Sequence, residues 1–252
     1  MPHHLLQHCA HRPYPAPVMP FAMGQTWEDL LFIHWPIKAK LLRELIPEPF
    51  EIDTFDGFGW IGVVPFCMTN IHFRNLPPVP FFSNFLELNV RSYVKWKGKA
   101  GVYFFSLDAE NSVAVEVARN WFCLPYFNAR MSKSRQSDHI HYKSERVDRR
   151  GRNASFEAMY CAIGEAEVAQ AGTLAHWLTE RYCFWAINHS GRPIVGEIHH
   201  QPWPLQAAQA EIRQNNYAEV LGVDLPKTDQ PLLHFARKLE TIEWATSLVV
   251  WG

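Results

Sequence analysis

Two runs near the middle of the chain, Asn84–Trp96 and Gly101–Asp108, face each other across the turn Lys97-Gly98-Lys99. Runs of this length, rich in β-branched and aromatic residues and joined by a Gly-centred turn, form strands of one hairpin. Side chains alternate faces along a strand. Phe85–Val94 therefore carries Leu86, Leu88, Val90, Ser92 and Val94 on one face, and Glu87, Asn89, Arg91 and Tyr93 on the other. The second face has two possible settings. One is open water, common on one side of an antiparallel sheet. The other is the lumen of a barrel, into which one face of every strand points. A solvated face usually mixes in Lys and Thr, and no Lys occurs here before Lys95. In a lumen, the acid, amide, guanidinium and phenol would line a polar pocket. The partner run is apolar on both faces until Asp108, which places it centrally and makes Asp108 a helix or turn cap at its exit.

Strand texture dominates the rest of the chain. FEIDTF and GWIGVVPFCM join at Asp56-Gly57, and Pro77, Pro78 and Pro80 mark an irregular loop. Residues 130–152 form a polar strand and exposed turn, paired with Phe156–Ile163. Tyr182–Asn188 and Ile194–His200 make a hairpin across Ser190-Gly191, and Leu232–Trp251 supplies the last strands. Helices are brief. One starts at Pro36, with Ile37, Leu41, Leu42 and Leu45 on one face, and stops at Pro47 and Pro49. Another is capped by Asn111 or Ser112 and buries Val113, Val117, Ala114 and Trp121. Gly172–Arg181 and Asn215–Gly222 are the others. This pattern predicts a mainly β (α+β) fold, an antiparallel barrel with a few short helices. Residues 1–24, rich in His and Pro and without an unbroken apolar run, are expected to be a disordered leader, and 25–252 a single domain.

Composition narrows the partners. Of 252 residues, 48% are hydrophobic and 19% charged, ample for one large core. Lys+Arg (24) and Asp+Glu (25) nearly cancel, so no long-range field favours nucleic acid or an anionic membrane. A small-molecule or protein partner is expected instead. Cys9, Cys67, Cys123, Cys161 and Cys183 are scattered without C-x-x-C spacing, which reads as free thiols in a reducing, cytoplasmic compartment. No glycine-rich phosphate loop or serine nucleophile elbow occurs, and no cofactor is called for. His139 and His141 share a strand face but lack a third metal ligand nearby in sequence, and no metal is assigned. His199 and His200 are adjacent, so on a strand they point oppositely. His34, in an apolar setting, reads as a core histidine.

The blocks QTWEDLLFIHWPI, DTFDGFGWIGVVPFCM, FLELNVRSYV, GVYFFSLDAE, ARNWFCLPYFNARM and HHQPWPL resemble successive blocks of the YqjF-like family, from about Gln25 to Leu239. That family has no established activity and is similar to the acetoacetate decarboxylase-like superfamily. The resemblance implies a conical antiparallel β-barrel around a small buried pocket. In the decarboxylase a Phe-Pro-Lys-Lys turn supplies a Schiff-base lysine and a neighbour that lowers its pKa. The corresponding run here is Leu124-Pro125-Tyr126-Phe127, so both amines are replaced, Tyr126 standing at the nucleophile's position. A phenol cannot condense with a ketone to an iminium, which removes that route. Glu87 matches a pocket glutamate of the decarboxylase.

Two functions are compatible with these residues. In one, a small-molecule-binding barrel, acting on a small organic acid or carbonyl compound, uses Glu87 and Tyr126 for acid–base chemistry. Asn89, Arg91, Tyr93 and Arg119 then bind the ligand, the arginines by clamping a carboxylate. These groups could equally satisfy one another as a structural network. In the other, the chain is a non-catalytic module with a filled interior, whose segments Trp27–Trp35 and Pro202–Leu205 cover a homo-oligomer interface.

Overall fold

The computed structural model describes residues 3–78, 82–225 and 230–248; Pro80 of the proline loop and Val249–Trp251 of the expected last strand lie outside these. Strand β1 (Met23–Ile37) leads through α1 (Ala39–Arg43) and β2 (Glu51–Ile52) to the long strands β3 (Gly59–Phe73) and β4 (Phe85–Trp96). Next come β5 (Lys99–Ala109), α2 (Ser112–Trp121), β6 (Tyr126–Gln136), β7 (His139–Arg146) and β8 (Ser155–Val168). Then follow α3 (Leu174–Thr179), β9 (Cys183–Ile187), β10 (Pro193–His200) and β11 (Pro204–Asn215). The helix α4 (Tyr217–Val220), β12 (Leu232–Glu243) and β13 (Ser247–Leu248) end the described chain.

All these strands belong to one sheet, and the protein is mainly β as its sequence predicts. Pairing is antiparallel except where β5 runs parallel to β6 and β9. The pairings return on themselves twice. One circuit passes from β1 through β3, β4, β5, β9, β10 and β12 back to β1; a second arm leaves β5 through β6, β7, β8 and β11 and rejoins at β12. Strands common to both paths are therefore covered on two faces. In β4 the even-numbered Leu86, Leu88 and Val90 pack with Tyr142, Phe156 and Tyr160 from β7 and β8. The odd-numbered side chains turn into the first circuit. The β4–β5 turn needs positive φ at both central residues, and Lys97 (49°) with Gly98 (78°) supplies it, matching the strand twist.

Residues 3–22 are not a disordered leader. They begin with a 3-10 helix, His4–Gln7, and place Leu5 and Phe21 against Ile242 and Trp244. Arg12 Nη1 donates to the Ile198 carbonyl (2.6 Å), and the Ala22 N–H donates to the Glu243 carbonyl (2.7 Å). The segment has no period of its own because its partners lie on β10 and β12, far along the chain. Pro36 and Ile37 also depart from expectation, extending β1 rather than opening a helix. Pairing with β3 continues to Ile37, whereas pairing with β12 stops at His34; a missing N–H is tolerated where one side has no partner.

Helix α2 is capped by Asn111, whose Oδ1 accepts from the N–H groups of Val113 and Ala114. Of its expected inner face only Ala114 packs against the core. Val115 is buried, while Val113, Val117 and Trp121 are exposed. Asp108 is not a cap either. It sits fully buried inside β5, accepts from Arg146 Nε (3.0 Å) and Nη2 (2.6 Å), and accepts from Tyr217 Oη (2.9 Å). This pair ties β5 to β7 and α4 on the second arm. Removing one partner of such a pair strands the other charge and costs about 3–5 kcal/mol. Asp108→Ala is expected to lower the urea unfolding free energy by about that amount, and a change below about 1 kcal/mol would show that the pair does not anchor β5.

Candidate ligand-binding site

The site begins with the register of β4. Glu87 stands opposite Phe66 and Ala109, Asn89 opposite Val64 and Leu107, and Arg91 opposite Gly62 and Phe104. All three polar side chains are buried, so the face does not meet open water. Gly62 is required for this packing. A Cβ there would lie 2.9 Å from the His34 ring and 3.5 Å from Arg91 Cγ. The buried His34 fills that space, with Nε2 2.6 Å from the Tyr93 hydroxyl.

Tyr126 reaches Glu87 through a tight bend. After α2, Cys123 takes a left-handed φ of 53° and Pro125 leads into β6, where the Leu107 N–H donates to the Pro125 carbonyl. Arg119 Nη1 donates to the Tyr126 carbonyl (2.7 Å), fixing the backbone at this point. The Tyr126 hydroxyl then donates to Glu87 Oε2 at 2.8 Å. Burial pushes the Glu87 pKa up to about 8; the Tyr126 hydrogen bond opposes this, and the charges of Glu243 and Asp108 add to it. Glu87 is thus mostly a neutral carboxylic acid at pH 7. Burial also holds Tyr126 well above the usual phenol range, so it stays protonated. Across the cavity lies a second carboxyl, Glu243, which accepts from Gln25 Nε2 and is raised to about 7 by burial.

Further along β4 two guanidiniums flank the Tyr93 ring, Arg181 at 4.9 Å and Arg91 at 5.7 Å from its centroid. Arg181 is well held: Nη1 donates to Asp53 Oδ2 (2.7 Å) and Nε to the Trp177 carbonyl (2.7 Å). Asp53 also pairs with Lys95 at 2.7 Å, so this corner carries more cations than carboxylates. Arg91 is different. Among the described residues it has no carboxylate partner, and its Nε has no hydrogen-bond acceptor. Asn89 Oδ1, Arg181 Nη2 and the indole nitrogens of Trp27 and Trp203 are likewise buried without partners. Buried polar groups are normally paired, so five orphans around one space form a signal.

That space is a cavity of about 410 Å³ lined by Glu87, Asn89, Arg91 and Tyr126 together with Arg181 and Glu243. Its walls are otherwise largely apolar, and no lysine lines it among the described residues. The exposed side chains Phe73, Phe82, Val113, Val117 and Trp121 surround its mouth.

Four of the six residues singled out in the sequence thus converge, and two do not. Tyr93 packs between the arginines, and its hydroxyl is taken by His34 rather than turned to the cavity. Arg119 holds backbone and packs on Phe127 outside the lining. The expected interface segments also turn inward: Trp27 and Trp203 stack within the cavity wall at 5.6 Å, and Leu30 to Ile33 are buried. Sequence reading missed Gln25, Arg181, His200 and Glu243. Gln25 and Glu243 had a signal: Gln25 shares strand parity with Trp27 of the same wall, and Glu243 shares parity with Leu239 of the core around it. Arg181 and His200 had none locally. His200 lines the cavity while its neighbour His199 faces the amino-terminal segment, contacting the Leu5 carbonyl.

Solved structures with this architecture include an acetoacetate decarboxylase from Legionella pneumophila, with a TM-score of 0.62, 12% identity and coverage of 96% of this chain and 93% of that one. The enduracididine biosynthesis enzyme MppR complexed with pyruvate matches with a TM-score of 0.61 and 9% identity over 92% of each chain. At such identities the likeness speaks for the fold alone. In sequence, the chain is 44% identical over 222 residues to the uncharacterized protein YqjF of Bacillus subtilis (strain 168), covering 88% of this chain and 90% of that one. The model of DUF2071, described as an uncharacterized conserved protein, matches residues 24–240, and the chain belongs to that family.

Proposed function

We propose that the cavity binds an organic carboxylate and that Glu87 and Tyr126 handle a proton of the bound molecule. The observation that carries this reading is Arg91, a buried guanidinium without a carboxylate partner among the described residues. An unpaired buried charge costs several kcal/mol, and a ligand carboxylate would supply both the charge and acceptors for Arg91 Nε and Arg181 Nη2. Both carboxyls that line the cavity are raised toward neutrality, so neither supplies it with a fixed negative charge.

Glu87 carries a proton near pH 7 and Tyr126 occupies only its Oε2, which suits it to act as a general acid toward a bound carbonyl or enol oxygen. Tyr126 steadies the carboxylate left behind. Among the described residues no lysine lines the cavity, so none of them offers an amine for an iminium route. The shared fold of acetoacetate decarboxylase and of MppR bound to pyruvate supports the reading by analogy only. The opposing reading, a filled structural interior, is disfavoured by the open volume and the orphaned polar atoms around it.

Replacing a buried, unpaired cation by an apolar side chain relieves a desolvation penalty. Arg91→Met should leave the ligand-free protein as stable as the parent or more so. The same change should weaken binding of pyruvate, acetoacetate or benzoate at least tenfold, read from tryptophan fluorescence through Trp27 and Trp203. A large loss of thermal stability with unchanged carboxylate binding would make Arg91 a structural residue and remove the proposal.

Acid titration checks the proton pair. Below the ordinary carboxyl value of 4.5, Glu87 is protonated folded or unfolded; between there and about 8 the unfolded chain releases the proton first, so native stability falls as pH rises. Glu87→Gln should flatten that fall, measured by urea unfolding from about pH 5 to about pH 8. Equal slopes in the two proteins would mean that Glu87 ionises like a surface acid.

A further inference from the structure

The spacing along β4 constrains the length of the ligand. Arg91 and Glu87 are four residues apart on one face, a separation of about 13 Å along a strand. The Arg91 guanidinium stays near its own level, between the rings of Phe32 (5.1 Å) and Tyr93 (5.7 Å). No ion pair joins it to Glu87, and the charges felt at Glu87 are those of Glu243 and Asp108. A three- or four-carbon acid seated on Arg91 is therefore too short to touch the Glu87–Tyr126 pair. An extended chain advances about 3.5 Å for every three bonds, so spanning the gap takes about eleven bonds, or roughly twelve carbons.

The wall beyond the pair has matching chemistry. From Glu87 outward the lining passes Phe85 and Met68 to Ile71 and then to the mouth. At the mouth Trp121 is 66% exposed, Val113 53% and Phe73 49%. Apolar side chains at this density on a free surface mark a binding region. Here they continue the apolar side of the cavity built by β3, β4 and α2, a helix whose opposite side already packs through Val115, while Gln25 and Glu243 line the facing side on β1 and β12. A volume of about 410 Å³ is also generous for pyruvate and within the range that encloses larger ligands.

We infer that the ligand is an amphiphilic carboxylic acid of roughly twelve to sixteen carbons, lying carboxylate-inward at Arg91 and Arg181, its chain passing Glu87–Tyr126 and its apolar end leaving between α2 and the end of β3. This rests on the carboxylate reading above and adds the chain.

The test is a calorimetric series on the full chain, using straight-chain carboxylates from propanoate to hexadecanoate and the matching 1-alkanols. Affinity should rise about threefold per methylene up to about twelve carbons and then level off. Alkanols should bind at least tenfold more weakly than acids of equal length. Val117→Asp and Trp121→Ser, both at exposed positions, should weaken binding by a factor that grows with chain length. Affinity that is flat in chain length or best for propanoate, yet still lost in Arg91→Met, would overturn the amphiphile and leave the carboxylate reading standing. Binding of no carboxylate at any length, or of alkanols equally well, would remove both.

Discussion

Both faces of β4 are covered by other strands, and much of the molecule's chemistry follows from that constraint. A strand covered on one side can let its polar residues meet solvent. Here β7 and β8 take one face and the circuit through β9, β10 and β12 encloses the other. Glu87, Asn89 and Arg91 are left with three alternatives: to pair, to lose charge, or to wait for a ligand. Glu87 does the first two, pairing with Tyr126 and keeping its proton to about pH 8. Asn89 and Arg91 retain unpaired atoms.

The molecule contains its own control. Arg146 is buried as deeply as Arg91, yet it meets Asp108 through two nitrogens and packs over Phe127 at 4.1 Å. Tyr217 completes the acceptor set of Asp108. The fold thus gives a buried guanidinium a carboxylate where the second arm is packed solid, and leaves one with no carboxylate among the described residues where the first circuit holds the cavity. Buried ion pairs contribute little net stability, but an unpaired charge is a clear penalty. Such penalties persist in proteins at sites of function, where they are offset by the rest of the core.

Much of this arrangement was legible in the sequence because strand parity is a strong local code. Alternation alone set Glu87, Asn89 and Arg91 on one face, and the Leu-Pro-Tyr-Phe run marked Tyr126. Tyr93 failed the same rule for a tertiary reason. It shares the parity of the cavity face, but α3 and the Arg181 side chain close over it, and His34 claims its hydroxyl. The apolar stripe of α2 failed in the opposite sense. Period 3.6 finds an apolar face, but a cavity mouth and a packed core produce the same pattern. The amino-terminal segment was illegible because its contacts are made with β10 and β12, not with residues near it.

The phenol at position 126 changes what the fold can do more than it changes its shape. An amine in this cavity would add a titratable cation and a nucleophile; a phenol held far above its ordinary pKa adds neither. It adds a fixed hydrogen-bond donor that steadies one oxygen of Glu87. The positive charge at the inner end then comes from Arg91 and Arg181, well removed along β4 from the proton on Glu87. The guanidinium end and the Glu87–Tyr126 pair thus lie at different depths of one cavity, with Asn89 between them on β4. Burial by β4's two neighbouring layers creates both ends, because it neutralises the carboxyls and leaves the guanidinium the dominant charge.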